Sequence, residues 1–123
     1  MRGINFFILI SCCFLFGSSD SNQVHYEKGL SAYKNNQFEL SVQEFEAIIN
    51  SGWYSPELYY NLGNAYYRLG NVPGAVWSYE SCLKDDPSHK DAKYNLQLAN
   101  LRVQDRVEFP EAPFYLKVYF LIK

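Results

Sequence analysis

The chain has 123 residues, of which 48% are apolar and 20% charged, with a net charge of −2. That is length for one small domain, and the balance is too close to neutral to argue for nucleic acid or an anionic membrane surface as partner. Eleven tyrosines are many for this length; each joins apolar bulk to a polar tip, which suits a protein that shows part of its packing surface to partners.

In chain order, the first stretch stands apart. Met1-Arg2 is a short basic start, Ile4 to Phe16 is almost wholly apolar, and Gly17-Ser18-Ser19 supplies small residues, so residues 1–20 read as a secretory signal peptide. The apolar run is shorter than the roughly 18 residues of a transmembrane helix. Leu9-Ile10-Ser11-Cys12 resembles a bacterial lipobox, so a lipidated Cys12 and an uncleaved anchor stand beside cleavage; all three export the remainder. Once Cys12 and Cys13 are assigned to the leader, Cys82 has no intramolecular disulfide partner, and its small-residue position makes it an inert packing thiol.

A helical domain follows over residues 22–106. Helices are predicted at Asn22–Asn35 and Phe38–Asn50, with Asn35-Asn36 as the turn between them. Ser51-Gly52 breaks the chain, and Ser55-Pro56-Glu57 opens the next helix with proline in its first turn and an acid at its positive end. Leu69-Gly70-Asn71 closes that helix on a residue that tolerates positive φ. Pro73 begins another helix, Pro87 ends it, and Ser88 is placed to cap a last one. The last helix, 88–106, uses Leu96, Ala99 and Val103 to cover an otherwise wet apolar face. Pro110 and Pro113 deny it a helical partner. The apolar tail Phe114 to Lys123 has no place in this pattern and reads, within 107–123, as the start of a membrane region lying further on.

A period of 34 residues underlies these elements. The set Leu62-Gly63, Tyr66, Ala75, Tyr79, Cys82 and Pro87 has a looser copy upstream, where Gly29 answers Gly63, Ser41 answers Ala75, Phe45 answers Tyr79 and Ile48 answers Cys82. Lys28 and Ala32 replace Leu62 and Tyr66, a loosening that suits an end repeat. These residues and spacings resemble the tetratricopeptide repeat. The resemblance implies an all-α fold: antiparallel helical hairpins at about 22–55 and 56–89, stacked as a short solenoid with a C-terminal capping helix. The run ELYYNLGNAYYRLGN, and then DDPSHKDAKYNLQLAN leading into Asp105-Arg106, resembles more narrowly the BatE-type repeat proteins of bacterial aerotolerance operons. That likeness implies partners among membrane proteins of the same operon.

Nothing in the sequence argues for catalysis. His25 and His89 lie far apart and their neighbours lack metal-ligand spacing; a capping or solvated role suits them better. The glycines sit at turns and packing positions, not in a phosphate loop, and no serine or cysteine has a matched base. Glu44 with Glu46, and Asp85 with Asp86, read as solvated charge. No enzyme, cofactor, metal or small-molecule substrate is expected.

Binding remains. In stacked hairpins the first helix of each pair lines the concave face, and three ladders recur there at 34-residue spacing: Tyr26, Tyr60 and Tyr94; Tyr33, Tyr67 and Leu101; Lys34, Arg68 and Arg102. They describe an aromatic groove with a cationic edge, suited to a peptide carrying acidic and apolar side chains, with Asn61 and Asn64 available for polar readout. The candidate partner-binding residues are Tyr26, Tyr33, Lys34, Tyr60, Asn64, Tyr67, Arg68, Tyr94 and Arg102. The competing reading is that the ladders are helix-packing choices alone. The Lys and Asn of carboxylate-clamp repeats are replaced by Tyr26 and Leu30, which argues against capture of a chaperone C-terminus. The expected setting is periplasmic or periplasm-facing at the inner membrane, and two further functions stay open: a periplasmic or lipid-anchored assembly factor for envelope proteins, and the regulatory front part of a longer membrane enzyme.

Overall fold

A computed structural model describes the backbone of residues 17–106 and the side-chain surroundings of residues 21–103. The apolar leader through residue 16, with Cys12 and Cys13, and the tail 107–123 lie outside the described residues. Five helices follow one another: α1 Gly17–Lys34, α2 Phe38–Asn50, α3 Pro56–Leu69, α4 Val72–Asp85 and α5 Lys90–Arg106. Among the described residues there is no strand. Each helix packs mainly on its chain neighbours, while α3 also touches α1 and α5. The first helices α1, α3 and α5 therefore form one row, and α2 and α4 form a second. α1 starts at Gly17, ahead of Asn22, so its first turns run through the small residues assigned to the leader.

The 34-residue period is physical. A side chain at Gly29 would put its Cβ 2.5 Å from the Phe45 ring, and one at Gly63 would lie 2.6 Å from the Tyr79 ring. Each second helix thus seats an aromatic ring flat against a glycine of the first. The partners Ser41 and Ala75 are fully buried, as are Ile48 and Cys82. Ser41 offsets its burial by donating its hydroxyl to the Gly29 carbonyl at 2.9 Å. Two apolar clusters result. One gathers Val42, Phe45, Ile48, Leu58, Leu62 and Ala65, the other Val72, Ala75, Tyr79, Cys82, Ala92 and Ala99, and Tyr66 packs against both. A Cβ at Gly74 would meet the Tyr66 ring at 3.0 Å. In the first repeat the sizes are reversed, with Ala32 at the Tyr66 position and Leu40 at that of Gly74.

The helix ends repeat as well. Ser55 accepts a hydrogen bond from the Leu58 N–H at 3.1 Å and caps α3. One period later His89 Nδ1 accepts from the Ala92 N–H at 3.2 Å and caps α5. The cap is therefore His89 and not Ser88, because the register aligns His89 with Ser55. Ser88 instead donates its hydroxyl and its backbone N–H to Asp86 Oδ1, at 2.6 and 3.0 Å, and fixes the turn after α4. Asn71 caps α4 by accepting from the Gly74 N–H at 3.0 Å. Asn36 and Gly70, also one period apart, close α1 and α3 in the left-handed region, at φ 59 and 87°.

At the far end of the stack, Ala99 is buried and Leu96 packs on the second cluster, but Val103 is 37% exposed. The expectation that Val103 helps cover the seam fails because α5 has 17 residues against the 14 of α3 and α4, so its last turn overhangs the hairpin. Tyr94 and Leu101 are more than half exposed.

Because no atom lies within 4 Å of a Cβ built at Gly70, substitution there tests backbone strain alone. Gly70→Ala should cost about 1–2 kcal/mol in urea denaturation, Gly70→Asn clearly less, and Asn36→Gly close to nothing.

Candidate functional site: the concave pocket

The first helices do more than stack. Tyr33 at the end of α1, Asn64, Tyr67 and Arg68 on α3, and Asn95 and Leu98 on α5 enclose a pocket of about 110 Å³, with Tyr79 of α4 at its back. Burial holds the Tyr79 hydroxyl well above its usual pKa, so it stays a donor and gives its proton to Asn64 Oδ1 at 2.7 Å. Asn95 Nδ2 donates to the same oxygen at 2.9 Å. This carbonyl is satisfied twice, which fixes both amide side chains across the α3–α5 junction. The Asn64 amino group and the Asn95 carbonyl make no hydrogen bond among the described residues, and a ligand backbone or water can take them.

The cations of the third ladder lie on rings. The Arg68 guanidinium is 4.6 Å from the centroid of Phe38, and that of Arg102 is 4.6 Å from Tyr67. Each such contact contributes about 0.5–1 kcal/mol at an exposed site. More to the point, it holds a flexible cation in place at the pocket rim, so less side-chain freedom is left to lose in any further contact the cation makes.

Of the nine candidate residues, Tyr33, Asn64, Tyr67 and Arg68 line this pocket, and Arg102 touches it through Tyr67. Lys34 is exposed and is not among the lining residues. The first ladder serves other ends. Tyr26 packs on Phe45 at 5.8 Å and accepts from Asn61 Nδ2 at 2.8 Å, so Asn61 is engaged rather than free for readout. Tyr60 lies against Tyr79 and against the His89 ring, 4.7 Å away. Tyr94 is 60% exposed on α5, the last of the described helices. Asn95, Leu98, Phe38 and the Tyr79 hydroxyl escaped sequence reading. Asn95 and Leu98 carried a signal, being one period beyond Asn61 and Asn64.

Other titratable groups serve the scaffold. His25 Nδ1 pairs with Glu44 at 2.6 Å between α1 and α2, and His89 Nε2 approaches Glu57 at 3.7 Å. Among the described residues, no three of His, Cys, Asp or Glu converge as metal ligands. Cys82 is fully buried, and burial, reinforced by Asp86, pushes its thiol up to about 11. Tyr66 donates to the Glu46 carboxylate. No described helix is long and apolar enough to cross a membrane.

Stacked hairpins around a pocket of aromatic, amide and guanidinium groups define a helical-repeat binding module. Residues 26–81 and 60–108 each match the model of the tetratricopeptide repeat. The matches begin one period apart and cover more than half the chain, so the protein belongs to the tetratricopeptide repeat family, whose domains bind protein partners. The second match extends through α5, which stands in the register of a third first helix. No curated protein matches the chain.

Burial and the Glu46 contact raise Tyr66 from 10.0 to about 12. A raised pKa favours the protonated phenol in the folded state, so this contribution is complete below pH 10 and is lost as pH climbs toward 12. Urea denaturation across that window should show falling stability, with a smaller slope in Tyr66→Phe.

Proposed function

We propose that the protein is a non-catalytic scaffold whose concave face holds an acidic, partly apolar segment of a partner protein. One observation carries this reading: Arg68 and Arg102 are laid on rings at the edge of a pocket whose floor is amide and aromatic. A carboxylate meets the guanidinium groups, apolar side chains meet Tyr33, Tyr67 and Leu98, and a peptide backbone meets the unpaired Asn64 and Asn95 groups. Charge-assisted contacts of this kind are the stronger class of hydrogen bond, and Tyr and Arg often dominate interface energy.

The setting of that scaffold is inferred from sequence. The leader at 1–20 supports export, and the resemblance to BatE-type proteins supports a partner among membrane proteins at the outer side of a bacterial inner membrane, in a complex tied to oxygen or stress tolerance.

The test is fluorescence anisotropy with a labelled peptide that alternates glutamate and leucine. The paired change Tyr67→Ala with Arg68→Glu should weaken binding at least about tenfold, since two charge-assisted or stacking contacts are lost, while circular dichroism stays unchanged. Equal binding by the folded variant overturns the reading.

A further inference from the structure

The opposite side of the molecule has a cavity of its own. α2 and α4 do not pack on each other, and the furrow between them is floored by Leu62 of α3. Glu46, Ile49 and Asn50 form one wall and Trp77 the other, around about 210 Å³. That is room for a side chain rather than a single water. Three features set this furrow apart from an ordinary gap between helices.

The first is Trp77. It is half exposed and is joined through Tyr59 to the exposed Tyr54, and a contiguous apolar patch of this kind marks an interaction site. The indole is held in place, edge to face with Tyr59 at 5.6 Å and 89°, and Tyr59 in turn lies 6.2 Å from Tyr54. The second is Glu46. It is half-buried in a largely apolar recess and oriented by the Tyr66 hydroxyl. The ion pairs among the described residues are His25–Glu44 and His89–Glu57; Glu46 has no cation. A carboxylate withdrawn from water without a counter-charge is unfavourable unless a partner supplies one. The third is the charge of this row of helices. α2 and α4 carry Glu39, Glu44, Glu46, Glu80 and Asp85 against Lys84 as their one cation. The first-helix row carries the cations of the concave pocket.

We propose that the furrow between α2 and α4 is a second docking site, which takes an arginine or lysine side chain of a basic partner segment between the Trp77 indole and the Glu46 carboxylate. The chemistry is complementary on both walls. A cation over an indole face is drawn to the ring quadrupole, and Trp is the best ring for it. A guanidinium also meets a carboxylate in a fork that fits its geometry. The acidic row attracts such a segment and the concave row repels it, so the two faces sort partners by charge. The site goes beyond the concave reading and shares no lining residue with it.

The experiment uses the full chain labelled with ¹⁵N, with the two tryptophan indole resonances assigned through Trp77→Phe. The probe is an eight-residue peptide with two arginines set among leucines; its control carries citrulline, the neutral isostere, in their place. The arginine peptide should shift the Trp77 indole resonance and bind at least about tenfold more tightly than the citrulline peptide. Glu46→Gln, which keeps the volume and a Tyr66 contact, should erase that difference. Tyr67→Ala with Arg68→Glu on the concave face should leave it unchanged, so failure here is separable from failure there. Equal binding of the two peptides, retention of the preference in Glu46→Gln, or shifts confined to Trp53 would each overturn the proposal.

Discussion

An aromatic ring resting on a glycine holds this fold together, and it does so twice. Phe45 over Gly29 and Tyr79 over Gly63 occupy the same seat one period apart. Glycine inside a helix costs about 1 kcal/mol relative to alanine. Burying an aromatic side chain removes about 150–250 Å² from water, worth roughly 4–6 kcal/mol at about 25 cal/mol per Å². The exchange therefore favours the seat several times over, and it permits no Cβ. With the ring in place, Ser41 or Ala75 and Ile48 or Cys82 fall into the core, and each hairpin presents its first helix to the concave side. The third position is Gln97, exposed on α5, so the same seat is not rebuilt on that helix.

From that constraint follows the separation of the two faces. Residues on the first-helix row that escape the seam line up across α1, α3 and α5 as rings, amides and guanidinium groups. The second-helix row keeps its acids and Trp77 on the other side. The Tyr79 ring serves both purposes, since its face lies on Gly63 and its hydroxyl fixes Asn64 in the pocket floor. Core packing and the geometry of the pocket floor are thus coupled through one side chain. Tyr66 plays a related role between the repeats, linking α3 to α2 through Glu46 while packing on both clusters.

Much of the fold was legible because the period constrains many positions together. Glycine, small and aromatic residues had to agree in register, and α2 at Phe38–Asn50 and the turn at Gly70 were read as they stand. Misreadings arose where a local rule competed with the register. Ser88 is the better cap by residue type, yet His89 holds the place. Val103 is at helical spacing, yet the helix beneath it has ended. The site was less legible, because the ladders identify which residues share a row and not which of them spend their polar groups inward. Tyr26 and Tyr60 look equivalent to groove residues by spacing but are committed to Asn61 and His89. Asn95 and Leu98 enter the pocket from a helix whose place in the stack depends on tertiary contact.

The direct test of the ring-on-glycine seat is a double-mutant cycle in urea denaturation with Gly63→Ala and Tyr79→Leu. In the native background the added methyl meets the Tyr79 ring and should cost about 1–3 kcal/mol. With leucine at 79 the obstruction is relieved and the better helix propensity of alanine should make Gly63→Ala neutral or stabilising, giving a coupling of at least about 1 kcal/mol. Additivity within about 0.5 kcal/mol would show that ring and glycine are independent, and would contradict the account.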